Sequence, residues 1–366
     1  MGASGSPREP SNLKDQARQS DAWWKKRLVK SALLLVLSLV VGYIIVGIVG
    51  SIDWAAVGSA FGKLNFWIIP LLLVLLCIRQ VLNAIPISQF TPGLGVKRAV
   101  ANDLSANLVG TVAPPPGDVV LRVSMFQSWK INPVDGMAGV SLNMIVFYSA
   151  RFIAPLLGLV LLVFDGIERR QLVVGLVSGL LAVAILVGLI LVMRSKVLAH
   201  WMGESAGSVA RQVKKNLDTS SWGDSVVNFR GQMSKVFREG IVGAYLAMLG
   251  TVLVDGLILF VALRAVGIGS EQLSWLDVFG TFLIAFPLTI MPLFGFGVLD
   301  AALVGTFTTI AGLAFEPTIV AGVIIWRVFT LLGPLLMGTV ALAGWRRRAL
   351  VPDPLNPETG NPAHTR

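Results

Sequence analysis

Apolar positions along this chain run in blocks instead of alternating. A helix needs about 20 apolar residues to cross a hydrocarbon core of about 30 Å, and six blocks meet that length: 31–50, 64–87, 137–164, 170–193, 239–264 and 317–344. Each predicts a full span. Two further blocks, 98–128 and 276–314, are apolar but interrupted by Pro and Gly. The longest polar stretch, Ser195–Arg238, is too short to hold a catalytic domain. Within it Val209, Val213 and Leu217 recur at helical spacing with Arg211, Lys214 and Lys215 between them. That pattern predicts an amphipathic helix at the membrane surface, with a solvated linker as the alternative.

The two interrupted blocks share a plan: an apolar run, a Pro/Gly tip followed by an acid, a second apolar run, and then a span carrying one buried arginine. In the first half these are Ala113-Pro-Pro-Pro-Gly-Asp118 and Arg151; in the second, Pro292-Leu-Phe-Gly-Phe-Gly-Val-Leu-Asp300 and Arg327. Lys97, Arg98 and Lys130 flank the first block, Glu271 and Glu316 the second. The expected architecture is an all-α polytopic membrane protein. It has six full spans plus two re-entrant helical hairpins, which enter from opposite faces in an inverted-repeat-like arrangement with a site near the midplane.

Composition agrees: 55% of the 366 residues are hydrophobic and 14% charged, far from the balance of a soluble domain. A net charge of +10 raises nucleic acid as a partner, but the cations cluster beside apolar blocks, where orientation is set. Lys25, Lys26, Arg27 and Lys30 precede the first span, a basic excess lies in 194–238, and Arg346, Arg347 and Arg348 follow the last. Counting spans puts all three on one side, which the positive-inside rule makes the cytoplasm. The basic flank and full length of the first span predict an uncleaved anchor. The chain divides into a basic disordered tail (1–27), one transmembrane domain (28–345, with 195–238 on the cytoplasmic surface) and a second disordered tail (346–366). Both ends are expected in the cytoplasm, and the membrane is the cytoplasmic one.

Enzyme chemistry has few materials here. Cys77 is the single cysteine and lies in an apolar block, His200 and His364 lie in polar segments, and paired acids that hold a divalent metal are absent. No metal, cofactor or catalytic residue is expected, and the chain is read as a transporter.

Candidate binding residues concentrate at the interruptions. Pro114, Pro115 and Pro116 remove backbone donors and force the helix to unwind. Irregular backbone at membrane depth is tolerated only where protein or water covers it. The helix restarting near Gly117 aims free amides at that tip, an end that can hold phosphate. Asp118 is then either the helix cap or a functional acid. Arg122 lies one turn on and can pair with Asp118; with Asn107 it suits an anionic headgroup, or else it snorkels to the interface beside Trp129 and Lys130. A charge at mid-span costs about 2.5–3.5 kcal/mol, so Arg151 and Arg327 need partners. Asp255 and Asp300 are available for static ion pairs, and an anionic lipid is the other reading. Arg79 reads as an interfacial anchor. At the second tip, Pro287, Pro292, Gly295 and Gly297 allow tight turning, and Asp255 and Asp300 are candidates for coupling to an ion.

Segments 107–130 and 292–327 resemble the lysylphosphatidylglycerol synthase transmembrane-region, or flippase-like, family. The first family motif is matched by Pro116, Gly117, Asp118 and Arg122. The second, Pro-Gly-Gly-x-Gly-x-x-Glu, is met by Leu293, Phe294, Gly295, Gly297 and Asp300, which differ from it by one Pro, one Gly and the shorter acid. Arg151 and Arg327 correspond to arginines of the family's later helices. The resemblance covers roughly residues 28–345 and implies translocation of an anionic phospholipid or a polyprenyl-phosphate-linked lipid. It does not imply lysyl transfer, because the aminoacyl-transferase domain of bifunctional members is missing from this chain. The alternative role is a noncatalytic membrane subunit that holds a cell-envelope synthesis enzyme.

Overall fold

The computed structural model describes residues 54–62, 67–113, 116–162, 220–290 and 297–349, with Leu180, Ala184, Val187 and Gly295; residues 220–236 are described by backbone alone. All of them fall in the unit Trp54–Arg366. The described residues form helices and turns, in the order α1 (Trp54–Gly62), α2 (Ile68–Phe90), α3 (Val96–Val112), α4 (Gly117–Ser128), α5 (Pro133–Leu162), α6 (Ser220–Ala265), α7 (Trp275–Ala285), α8 (Val298–Ala311), α9 (Glu316–Arg327) and α10 (Gly333–Ala349). A 3₁₀ segment, Phe286–Ile290, extends α7, and a π-turn, Val328–Leu332, joins α9 to α10.

Four helical stretches are long and apolar enough to cross a membrane: Ile68–Phe90, Pro133–Leu161, Phe237–Ala265 and Leu313–Arg348. They coincide with the expected spans 64–87, 137–164, 239–264 and 317–344. The expected span 31–50 lies outside the described residues, and of 170–193 only Leu180, Ala184 and Val187 are described, each helical. Two details differ from expectation. Residues 220–238 are not a separate surface helix but continue directly into the span as one 46-residue helix; Val209, Val213 and Leu217 lie outside the described residues. The last span contains a π-turn, which single-sequence periodicity does not register.

In the first interrupted block two helices flank a turn; in the second, α7 with its 3₁₀ extension and α8 lie on either side of 291–296, of which Gly295 alone is described. α3 ends with Ala113 in extended backbone, and α4 restarts at Gly117 behind Pro116. The two legs fold back on each other: the Asn102 level of α3 meets Arg122 and Met125 of α4. Ahead of α8, Gly295 and Gly297 have φ +70° and +86°. A Cβ at Gly295 would stand 2.5 Å from the Leu288 carbonyl oxygen, so the return of this chain against its own 3₁₀ leg requires glycine.

The legs of the two units start from opposite ends of the bundle. At one end, the close of α2, the start of α3, the close of α4 and the start of α5 pack together through Ile87, Leu94, Ala99, Phe126, Ile131 and Val140. Phe237 of α6 stacks on Phe90 there, with ring centroids 6.4 Å apart. α10 finishes at the same end, where the Trp345 indole donates to Ser128 Oγ at 2.9 Å. α6 runs to the other end and closes there with a Schellman turn: Gly267 (φ +102°) donates to Arg264 and Ile268 to Leu263. α7 begins beside it under a capping box in which the Ser274 and Asp277 side chains each accept the other's backbone amide. α9 also begins at that end, since its Gly322 lies against Leu263, and so α8, two short turns before α9, closes there.

Candidate functional site

Among the described residues the buried charged side chains are Arg151, Asp255 and Arg327. Arg151 is 7% exposed. Its Nε donates to Thr289 Oγ1 on the 3₁₀ leg at 2.8 Å, and one terminal nitrogen donates to the Phe147 carbonyl at 3.2 Å. The guanidinium also lies 3.4 Å from the centroid of the Phe147 ring and 5.5 Å from that of Phe286. Hydroxyl, carbonyl and π faces are neutral partners. Among the described residues no carboxylate pairs with Arg151.

Arg327 holds the other side of the same unit. Its Nε donates to Asp300 Oδ1 at 2.5 Å, and its guanidinium sits 4.5 Å from the Trp326 ring. Asp300 Oδ2 accepts the Gly297 amide at 2.8 Å. One carboxylate therefore satisfies an open amide at the start of α8 and neutralises a cation on α9. The π-turn follows Arg327 directly, with Thr330 Oγ1 donating back to the Trp326 carbonyl at 2.8 Å; such turns recur at functional positions because they re-aim the side chains beside them.

Between the two broken units stands a bidentate pair. Arg79 Nε and one terminal nitrogen donate to the two Asp255 oxygens at 2.7 and 3.0 Å, while its other terminal nitrogen donates to Gln80 Oε1 at 2.9 Å. Both partners are near enough to Arg151 to act on its charge. One turn beyond Arg79 on α2, Asn83 donates to Asp103 Oδ2 at 2.7 Å. Asp103 Oδ1 in turn accepts from Arg122, which also donates to Asn102 Oδ1, at 3.1 and 2.7 Å.

Several expected pairings are thereby corrected. Arg122 does not pair with Asp118, nor does it snorkel out beside Trp129; it turns across the hairpin to Asn102 and Asp103. Asp118 does not cap α4: Pro116 occupies the cap, and the half-buried Asp118 carboxylate makes no hydrogen bond or ion pair with the described residues. Asp255 forms its ion pair with Arg79, not with Arg151. Arg79 is no interfacial anchor, because its fork is spent inside the bundle.

Of the remaining expected residues, Asn107 is half-buried and offers its carbonyl to Thr111 Oγ1 at 2.8 Å. Pro116 is exposed and Gly117 half-buried at the first break. Pro114, Pro115 and Pro292 lie outside the described residues. Asn83, Asn102, Asp103 and Thr289 went unnoticed in the sequence, although a polar residue inside an apolar helix is the signal that would have found them. No protein-family model matches this chain, and no curated protein is significantly similar to it.

Proposed function

We propose that this chain moves an anionic phospholipid or a polyprenyl-phosphate-linked lipid across the cytoplasmic membrane, its phosphate passing the polar interior while its tails stay in lipid. One observation carries this reading: Arg151 is buried, it is held by neutral acceptors, and the nearby carboxylate already belongs to Arg79. A buried cation to which no described carboxylate is paired attracts an anion, and a planar guanidinium fits two phosphate oxygens at once.

The broken units support the route. At 1.5 Å per residue, α3, α4 and α8 rise about 25, 18 and 21 Å, each short of the about 30 Å hydrocarbon core. In our reading they are re-entrant hairpins entering from opposite faces. The end holding Lys97, Arg98, Lys130 and Arg346–Arg348 then faces the cytoplasm by the positive-inside rule, and both chain termini lie on that side. The resemblance to flippase-like proteins points the same way.

The test is reconstitution in liposomes carrying a headgroup-labelled anionic phospholipid, with a polyprenyl phosphate in a parallel set. The native protein should move label between leaflets, and Arg151→Gln should slow it at least about tenfold, the loss expected from one charge-assisted contact of about 1.5–3 kcal/mol. Equal rates in native and variant protein would remove the reading. Absence of movement together with stoichiometric recovery of an envelope-synthesis enzyme would replace it with a scaffold role.

A further inference from the structure

A separate feature lies at the Phe90 end of the bundle. Three sequence segments bring their cations there: Lys97 and Arg98 at the start of α3, Lys130 just past α4, and Arg346, Arg347 and Arg348 in the last turn of α10. All six are exposed, and none is ion-paired among the described residues. The juxtaposition is built, not incidental. Trp345 is tied to Ser128 by its indole bond, which brings the α10 arginines to the close of α4. Arg98 stands 5.8 Å from the Trp129 ring centroid, which joins the start of α3 to the same place.

Lys130 itself is fixed by the backbone. It adopts the left-handed conformation, φ 59°, as the turn residue of a Schellman motif in which Lys130 donates to Gln127 and Ile131 to Phe126. Ile131 and Phe126 are buried against each other in the adjoining cluster. That anchors the turn and leaves the ammonium outside. Among the described residues the acids at this end, Asp135 and Glu239, belong to α5 and α6 and pair with none of the six.

Directly below the α10 cations runs an apolar stripe, Leu332, Leu336 and Val340, exposed by 53, 68 and 73% and spaced one helical turn apart. Exposed aliphatics, then an indole, then unpaired cations is the order of layers met on passing from acyl chains through the interface to headgroups.

We infer that Lys97, Arg98, Lys130 and Arg346–Arg348 form a headgroup-binding collar for anionic phospholipid, which docks its acyl chains along the stripe from Leu332 at the end of the π-turn to Val340 on α10. This site is distinct from Arg151 and stands whether or not the protein transports lipid.

The probe is the full-length protein equilibrated in detergent with equal parts phosphatidylglycerol and phosphatidylcholine, with retained lipid quantified by mass spectrometry. The native protein should retain phosphatidylglycerol preferentially. K97Q/R98Q/K130Q/R346Q/R347Q/R348Q should reduce that preference at least about tenfold, from the worth of surface cations against anionic lipid. R346Q/R347Q/R348Q should fall between. Added salt should erode the preference of the native protein, since exposed charges are screened, and this measurement decides the matter if the sixfold variant does not purify. No preference in the native protein, a preference indifferent to salt, or one kept undiminished in the sixfold variant would overturn the collar.

Discussion

Arg79 and Asp255, 176 positions apart, meet fork to fork across α2 and α6, at 2.7 and 3.0 Å. Their side chains are 19 and 7% exposed, so neither charge has much water to fall back on. Removing one partner strands the other, which costs about 3–5 kcal/mol for a fully buried pair; the partial exposure of Arg79 sets the expectation near the lower figure, about 3 kcal/mol. Asp255→Ala should therefore lower the midpoint of unfolding in SDS titration followed by loss of helicity. The double variant Arg79→Met/Asp255→Leu should recover most of that loss, because two apolar side chains carry no desolvation cost. A double variant as unstable as the single one would mean that the pair is not what binds α2 to α6.

Arg151 should behave in the opposite way. It makes bonds to a hydroxyl and a carbonyl but, among the described residues, has no carboxylate to strand, while its own burial is costly. Arg151→Gln should leave the SDS midpoint unchanged or raised, even as lipid movement falls. Arg151→Lys should sit between native and Gln in transport, because an ammonium keeps the charge but loses the planar fork. A stability loss equal to that of Asp255→Ala would mark Arg151 as a structural residue.

Asp300 carries two duties that graded substitutions can separate. Asp300→Asn keeps an acceptor for the Gly297 amide but loses the charge that neutralises Arg327, whereas Asp300→Ala loses both. Hydrogen exchange of the amides at the start of α8 should accelerate in the order native, Asn, Ala. A helix-capping contact is worth about 1 kcal/mol, which corresponds to roughly fivefold in exchange for the Ala variant over the Asn variant. Indistinguishable rates in the two variants would show that the cap contributes nothing beyond the ion pair.

These contrasts explain what could be read from the chain alone. Block length and hydropathy are local properties, so the long helices and the two interruptions were visible, as were Gly295 and Gly297 as turn formers. Partner choice is not local. Asp255 was recognisable as a buried acid, but whether it meets Arg79 or Arg151 depends on how α2 and α5 face α6, and both arginines lie in apolar helices. The Arg122–Asp118 pairing followed from one-turn spacing, which assumes that a side chain stays on its own helix. Once the chain folds back after Pro116, Asn102 and Asp103 on the other leg offer better acceptors. The π-turn at Val328–Leu332 leaves the apolar pattern intact and so left no trace in it.

α10 is seated on the first broken unit by close backbone approach, and that seat places both Trp345 and the cation collar. A Cβ at Gly338 would stand 2.6 Å from the Leu104 carbonyl oxygen and 3.0 Å from Leu108 Cβ, whereas at Gly344, on the same helix, nothing lies within 4 Å. The Leu104 carbonyl belongs to the α3 backbone and cannot rotate away. Gly338→Ala must push the helices apart, at about 1–3 kcal/mol by analogy with overpacked cores, and should loosen the Trp345–Ser128 bond. Gly344→Ala should stabilise by up to about 1 kcal/mol, because alanine is the better helix former where no neighbour objects. Unfolding midpoints of the two variants should therefore move in opposite directions, and Trp345 fluorescence should shift in Gly338→Ala alone. Parallel shifts would mean that helix propensity, not the approach of α10 to α3, governs this face.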